Sequence, residues 1–212
     1  MGEKEAFLTR LRHAAAVSVL PPRRSIIAVD ELPPPVVFAI DTEGVDVFRE
    51  ALEALGGSVH RAADPAAARE VVVGIIGTRA PVVLSCEPDV EALGLEGRRW
   101  PECGLRAASE AAVTVVGCVA LVAATGSVVV DARSAKGRSV SLFPPSCVVV
   151  ARRSQLVAAP GDVLRHTEDF WPGGMPSQVV FITGPSRSAD IEMTLTRGVH
   201  GPGELHVVVV DD

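Results

Sequence analysis

The sequence predicts an α/β fold in which helices flank a largely parallel sheet. Strand-like and helix-like segments alternate as βαβαβ over residues 36–85, and proline or glycine punctuation closes most of them. The chain has 212 residues, of which 48% are hydrophobic and 22% are charged. This length and apolar content suit one globular domain, so we expect a single domain over residues 1–212.

The first half of the chain supplies the alternation. Apolar residues recur with helical spacing after Lys4, which predicts an N-terminal helix over about residues 4–20. The run Val36–Ile40 predicts a short buried strand, and Asp46–Leu55 predicts a helix that two glycines end. The other predicted elements of this half are a strand at Ser58–Arg61, a helix from Asp64-Pro65 to about Ile76, and a strand at Pro81–Ser85.

The second half is richer in β-branched residues, which favour strands. Trp100–Leu105 predicts a loop, and the apolar run Ala111–Ala124 predicts a buried strand followed by a turn. Helices are predicted from Val163 to about Phe170 and from Ser188 to about Leu195. The remaining predicted strands are Ser127–Asp131, Val140–Leu142, Cys147–Ala151, Gln155–Val157, Gln178–Thr183 and His206–Val210.

Charge and hydropathy exclude several classes of partner. The net charge is −6 and the basic residues are dispersed, so no basic stripe is available for a nucleic acid backbone. The longest apolar stretches, such as Val113–Ala124, fall short of the ~20 residues that cross a bilayer. The N-terminal residues Met1–Phe7 are charged and lack the apolar centre of a secretory signal, so we expect a cytoplasmic protein.

The cysteine pattern argues against a metal centre. The sequence contains no CxxC pair, so we expect that this chain binds neither zinc nor an iron–sulfur cluster. The sequence also lacks the glycine-rich fingerprints of NAD and ATP sites. We therefore expect no cofactor on this chain. The four cysteines are Cys86, Cys103, Cys118 and Cys147.

A Gly-Pro turn after the predicted strand Gln178–Thr183 is the strongest candidate binding site. Backbone N–H groups at the start of the next helix attract an anion, and Arg187 can bind a carboxylate or phosphate in bidentate fashion. Ligands of open α/β sheets lie beyond the carboxyl ends of the strands, where we expect this turn. The alternative is a structural role, in which Arg187 pairs with a nearby acid. The candidate binding residues are Gly184, Pro185, Ser186, Arg187, Asp190 and Glu192.

Two further turns supply polar groups. His200 lies in a rigid glycine-rich loop between Gly198 and Gly201, where it can act as a general base near neutral pH or as a structural hydrogen-bonding group. The turn Thr125-Gly126-Ser127 leads into a strand, and its hydroxyl and amide groups suit a polar ligand.

Four motifs follow one another along the chain, namely Thr125–Ser127, Ser141–Pro145, Gly184–Glu192 and Gly198–Pro202. Their order and spacing resemble those of the LUD-domain family, in particular its lactate-utilisation C branch. The resemblance implies a three-layer α/β/α domain with a mixed, mostly parallel sheet, similar to the CoA-transferase and ribose-5-phosphate isomerase fold. It also implies a cytoplasmic role beside iron–sulfur subunits that oxidise L-lactate to pyruvate, with this chain as a binding or assembly subunit that holds no cluster.

Three positions depart from the family pattern. Val119 stands where many relatives have an acid, Ala124 where glutamate is common, and Cys147 where histidine is common. A proton-transfer role at these positions is therefore not expected. The remaining charged group of Arg187, Asp190, Glu192 and His200 suits anion binding better than acid–base chemistry.

Three functions remain open from the sequence. The first is a component of L-lactate oxidation. The second is an independent enzyme that acts on a small anionic substrate, namely a sugar phosphate, a carboxylate or an acyl-CoA. The third is a folded interaction module whose glycine loops only close the sheet.

Overall fold

The computed structural model of the chain describes residues 5–10, 13, 42–188 and 196–212. The chain divides into two compact units, Met1–Pro34 and Pro35–Asp212. In the first unit, residues 5–10 and 13 are helical (α1), within the helix predicted at about residues 4–20. The predicted strand Val36–Ile40 lies outside the described residues, and the single domain over residues 1–212 stays a prediction.

Helices and short strands alternate along the second unit. Its helices are α2 (Thr42–Ala54), α3 (Pro65–Ile76), α4 (Pro88–Glu91), α5 (Gly104–Ser109), α6 (Ser139–Leu142), α7 (Pro160–Arg165) and α8 (Thr167–Phe170). Its strands are β1 (Ser58–Ala62), β2 (Val82–Leu84), β3 (Arg98–Arg99), β4 (Val113–Val116), β5 (Ala120–Val122), β6 (Ser127–Asp131), β7 (Ser146–Arg152), β8 (Leu156–Val157), β9 (Val179–Ile182), β10 (Arg187–Ser188), β11 (Thr196–Arg197) and β12 (Glu204–Val210).

Six strands form a central sheet in the order β1-β12-β7-β4-β2-β3, and every pair in it is parallel. β7 and β12 begin together, with Ser146 opposite Glu204. Continuous runs of Val and Ala make β4, β7 and β12 almost wholly buried, as a parallel strand covered on both faces requires. The predicted α/β class with a mostly parallel sheet is confirmed.

A second sheet has four strands in the order β8-β5-β6-β9. β5 and β6 form an antiparallel hairpin, β9 pairs antiparallel with β6, and β8 pairs parallel with β5. The mixed pairing is therefore confined to this smaller sheet. Its strands alternate between two apolar clusters, with Val128 and Val130 facing the central sheet and Val129 facing Val163 of α7.

The two faces of the central sheet are covered differently. On one face, Val72 of α3 and Val90 of α4 pack in a cluster with Val148 and Val208 of the sheet. On the other face, Phe48 and Leu52 of α2 share a cluster with inward residues of the second sheet. α2 therefore packs against residues of both sheets.

Local capping sets the bounds of α3. Asp64 accepts a hydrogen bond of 2.8 Å from the backbone nitrogen of Ala67, and Pro65 occupies the first turn. Gly77 ends the helix, with its backbone nitrogen bonded to the Val73 carbonyl oxygen. The helix predicted from Asp64-Pro65 to about Ile76 is confirmed.

Four predicted elements are wrong in type or extent. Val140–Leu142 lies in α6 and not in a strand, because the Ser141 nitrogen and hydroxyl both bond the Arg138 carbonyl oxygen and close a turn. The predicted loop Trp100–Leu105 ends early, since α5 begins at Gly104. The helix predicted from Val163 to about Phe170 is two helices, α7 and α8, which meet at His166 with φ −109° and ψ 39°.

The helix predicted from Ser188 does not begin there. Ser188 lies in β10, and it pairs antiparallel with Thr196 of β11. The cause is a long-range strand pairing that local sequence does not reveal. Residues 189–195 lie outside the described part of the chain.

Gly126 allows α2 to lie directly against the second sheet. Its φ of +61° belongs to the left-handed region that favours glycine, and it ends the short 3-10 turn Ala123–Thr125. A Cβ at Gly126 would overlap the backbone nitrogen of Leu52 and lie 2.7 Å from the Leu52 Cα. Neither backbone can yield without moving a whole element.

We expect Gly126→Ala to destabilise the fold more than Gly94→Ala. Gly94 has a similar φ of +57° but open space around its missing Cβ, so it is a matched control for backbone strain. Gly94→Ala should cost about 1 kcal/mol of unfolding free energy. Gly126→Ala should cost a further ~1–3 kcal/mol from the overlap with α2. Urea unfolding measures both, and equal losses would show that α2 does not rest on this turn.

Candidate functional site

The loops that the sequence singled out meet around one small cleft, which we call the loop cleft. Its volume is about 260 Å³. Its walls come from the end of β9 and the turn after it, from the loop before β12, and from α6. The predicted site residues on these walls are Gly184, Ser186, Arg187, His200 and Gly201.

The loop cleft carries a guanidinium, an imidazole and hydroxyl groups. Arg187 and His200 are the ionisable residues among its described lining residues, so no carboxylate lies on the described wall. The hydroxyl groups of Ser141, Thr183 and Ser186 also line it. A guanidinium, an imidazole and hydroxyl donors are the groups that bind a carboxylate or phosphate in proteins.

Arg187 is anchored at the carboxyl end of α2. Its guanidinium donates a hydrogen bond to the Leu55 carbonyl oxygen, immediately after the last residue of α2. A cation is favourable at this end of a helix because the terminal carbonyl groups carry partial negative charge. This contact holds the guanidinium beside the loop cleft and links the turn after β9 to the end of α2. That Arg187 also binds a ligand stays a prediction.

Backbone hydrogen bonds join the two loops that carry Ser186 and His200. The Ser186 nitrogen donates to the Pro202 carbonyl oxygen over 2.8 Å, and the Gly198 nitrogen donates to the Ser186 carbonyl oxygen over 3.1 Å. The His200 nitrogen donates to the Ser186 hydroxyl oxygen over 3.2 Å. Fourteen residues apart in sequence, Ser186 and His200 therefore form one rigid wall.

The Thr125-Gly126-Ser127 turn lies behind the loop cleft. The Thr125 and Ser127 hydroxyl oxygens are 2.7 Å apart, and Ser127 is 2.8 Å from the Thr183 hydroxyl oxygen. Thr183 is exposed and lines the cleft, whereas Ser127 is buried. The structure thus connects this predicted turn to the cleft through Thr183, without placing the turn on its described wall.

Gly184 and Pro185 shape the turn after β9. Gly184 has a φ of +88°, and a Cβ there would lie 3.0 Å from the Leu55 Cβ. Pro185 is buried. Gly198, with Gly201 and His200, lines a neighbouring cleft against Pro144 and Pro145. Asp190 and Glu192 lie outside the described residues.

The loop cleft lies at the amino-terminal ends of the central strands β7 and β12. The sequence predicts a site beyond the carboxyl ends of the strands, which is the opposite edge of the sheet. The backbone nitrogens of Gly203 and Glu204 donate to the Pro145 carbonyl oxygen, where β7 and β12 begin. β9, which precedes the Gly184 turn, belongs to the second sheet and not to the central sheet. The expectation that this turn follows the carboxyl end of a central strand is therefore wrong.

The three positions that depart from the family pattern do not meet at the loop cleft. Cys147 is buried in β7, where burial raises the pKa of its thiol to about 12, with a smaller opposing effect of the neighbouring Thr114 side chain. It is therefore a neutral thiol at physiological pH. Val119 lines a different cleft, and Ala124 is exposed in the 3-10 turn before Gly126.

Sequence reasoning missed two cleft residues. Thr183 is predicted only as the last residue of a strand. A polar residue directly before a Gly-Pro turn nevertheless indicates an exposed side chain. Ser141 belongs to the motif Ser141–Pro145 but is not among the predicted site residues. The Leu55 carbonyl had no signal, because a backbone group 132 residues from Arg187 is recognised only from the fold.

Two classes of site are not found among the described residues. No three of their His, Cys, Asp and Glu side chains are grouped so that they can hold a metal ion. None of their helices has both the length and the apolar character to cross a membrane.

The family model of the LUD domain matches residues 45–210. The chain belongs to the LUD domain family. This match covers the central sheet, the second sheet and the loop cleft. The resemblance stated from the four motifs is confirmed.

Two curated relatives and one solved structure are similar to this LUD domain. It is 45% identical over 91 residues to Lactate utilization protein C of Shouchella clausii, which covers 42% of this chain and 40% of that protein. It is 32% identical over 153 residues to Lactate utilization protein C of Bacillus subtilis, covering 62% of this chain and 63% of that protein. The chain thus spans less than two thirds of either relative.

The solved structure is a crystal structure of a DUF162 family protein from Deinococcus radiodurans. The two structures superpose with a TM-score of 0.62 at 20% sequence identity, over 82% of this chain and 99% of that one. The likeness supports the fold described above.

We expect the Cys147 thiol to resist alkylation in the native protein. Burial and the raised pKa leave almost no accessible thiolate near neutral pH. Cys103 is only half-buried and serves as the internal control. Peptide mass spectrometry after iodoacetamide should find Cys103 modified and Cys147 unmodified in the native protein, and both modified in urea. Rapid native modification of Cys147 would contradict its placement in β7.

Proposed function

We propose that this LUD domain takes part in L-lactate utilisation and that its loop cleft binds the carboxylate of a small organic acid. The observation that carries the proposal is that Arg187 and His200 line the same small cleft, whose described wall holds no carboxylate. The two curated relatives, each named Lactate utilization protein C, support the pathway.

In this proposal the guanidinium of Arg187 binds the carboxylate through parallel hydrogen bonds. The hydroxyl groups of Thr183 and Ser186 hydrogen-bond the remaining polar atoms of the acid. Because the Leu55 carbonyl already positions the guanidinium, little side-chain entropy is lost when the ligand binds. His200 stands where it can take or give a proton, which is its proposed catalytic role.

The proposed division of labour follows the resemblance. Oxidation of L-lactate to pyruvate removes an electron pair and two protons. We assign the electron transfer to iron–sulfur partner subunits in the cytoplasm and the binding or assembly role to this chain. No ligand set for a cluster is found among the described residues, so the proposal places none here.

The same cleft supports a second candidate function. An independent enzyme with a CoA-transferase-like or isomerase-like fold would use Arg187 to bind a sugar phosphate, a carboxylate or an acyl-CoA, with His200 as its base. The two candidates differ in what the purified chain does alone. Turnover of such a substrate without partner proteins favours the enzyme, whereas binding without turnover favours the subunit.

We expect Arg187→Gln to abolish lactate-dependent dye reduction in extracts. The variant would be expressed in a deletion strain of the source organism, next to the wild type. Arg106→Gln is the matched control, because Arg106 is a highly exposed arginine of α5 that pairs only with Glu110 in the described structure. Wild type and Arg106→Gln should restore activity at equal protein levels.

A second variant separates binding from folding. Arg187→Gln also removes the contact with Leu55, so His200→Gln is included, which keeps the backbone bonds of the loop intact. If both variants restore wild-type activity, the loop cleft is not the site. If the deletion strain itself oxidises lactate normally, the pathway assignment is wrong.

A further inference from the structure

The central sheet has a switch point between β2 and β4. These strands are neighbours, but the chain leaves them towards opposite faces of the sheet. β2 leads to α4, whose Val90 packs in the cluster of α3. β4 leads to β5, whose Leu121 packs in the cluster of α2. Such divergence opens a crevice beyond the carboxyl ends of the two strands, where ligands bind in open α/β sheets.

A cleft of about 400 Å³ lies at this point, and we call it the switch-point cleft. It is at the edge opposite the loop cleft, since its walls follow the carboxyl ends of β2, β4 and β7. The lining residues that matter here are Glu87, Asp89, Cys118, Arg152, Gln155 and Phe170.

Gln155 and an ion pair fix the shape of this cleft. The Gln155 Nε2 donates to the Cys118 carbonyl oxygen over 2.7 Å, and its Oε1 accepts from the Arg152 backbone nitrogen over 2.7 Å. The Arg152 guanidinium lies 3.3 Å from an Asp89 carboxylate oxygen. The positive charge of the cleft is therefore already compensated, and its walls are held in place without a ligand.

Glu87 is a buried carboxyl group on the wall of this cleft. The residue is only 7% exposed, and its Oε2 has no hydrogen-bond partner among the described residues. Gly117 leaves it room, because a Cβ there would lie 2.8 Å from the Glu87 Cβ. A buried carboxylate is costly unless a donor or a cation satisfies it. Because Glu87 also lines the cleft, a ligand that brings positive charge into the cleft would compensate it.

The remaining walls favour an organic cation over a metal ion. Phe170 is half-buried on the wall, and an aromatic face together with a carboxylate is a recognition site for ammonium groups. Burial raises the pKa of the Cys118 thiol, with the nearby acids adding to the effect, so no thiolate competes as a metal ligand or nucleophile. The described acids, cysteines and histidines form no metal-binding group.

We propose that the switch-point cleft binds a small organic cation whose ammonium group pairs with Glu87 and rests against Phe170. The site is separate from the loop cleft, and it stands whether or not the domain acts on lactate. Asp169, an exposed acid beside Phe170, adds negative potential at the mouth of the cleft.

The test is a titration of the folded chain with propylammonium chloride, followed by two-dimensional amide NMR at constant ionic strength. The neutral isostere 1-propanol is the ligand control. We expect saturable shifts at the amides of Glu87, Cys118 and Phe170 with propylammonium, and weaker binding of 1-propanol.

Glu87→Gln should raise the propylammonium Kd by about tenfold, as expected for loss of a charge-assisted hydrogen bond. Glu91→Gln is the matched control, because Glu91 is an exposed acid of α4, the helix that begins directly after Glu87, and the Kd of this variant should equal that of the wild type. Phe170→Leu should also weaken propylammonium binding while leaving that of 1-propanol nearly unchanged.

Three results would overturn the proposal. One is the absence of saturable shifts around the cleft in the wild type. Another is equal binding of propylammonium and 1-propanol. The third is a wild-type Kd in both Glu87→Gln and Phe170→Leu. If Glu87→Gln fails to fold, Phe170→Leu and the ligand control still decide the question.

Discussion

The close approach of α2 to the Gly126 turn is the constraint on which the rest of the structure depends. No side chain fits between the Gly126 Cα and the backbone of Leu52, so the helix and the second sheet are fixed relative to each other. One turn further along, the Leu55 carbonyl meets Gly184 and Arg187. The helix end thereby sets the geometry of the loop cleft, so the packing that holds α2 in place also positions the walls of the proposed site.

Local signals in the sequence predicted those elements whose causes are local. α3 was predicted to the residue at its start, because Asp64 and Pro65 act within one turn of the helix. The strand predicted at Val140–Leu142 is wrong, because the two apolar residues of this segment carry less weight than the turn that Ser141 closes on Arg138. The second sheet and β10 depend on pairing between distant residues, such as Val130 with Val180, which one sequence does not reveal.

The candidate site was predictable to a similar degree. The motifs identified Ser186, Arg187 and His200, and the structure brings them to one cleft. The predicted edge of the sheet was wrong, because β9 belongs to the second sheet and only the tertiary pairing of the strands shows this. The two clefts therefore lie at opposite ends of β7, separated by seven residues or about 20 Å of strand. The loop cleft presents a guanidinium and an imidazole, and the switch-point cleft presents the buried carboxyl group of Glu87, so the ligands that we propose for them have opposite charges.

Hydrogen–deuterium exchange of the folded chain with and without L-lactate tests the central claim most directly, because it reports on both clefts in one measurement. The account predicts slower amide exchange in the loops around Ser186 and His200 and at the carboxyl end of α2, with no change around Glu87. Protection around Glu87 instead, or no protection at saturating L-lactate, would contradict the assignment of the loop cleft as the site of the organic acid.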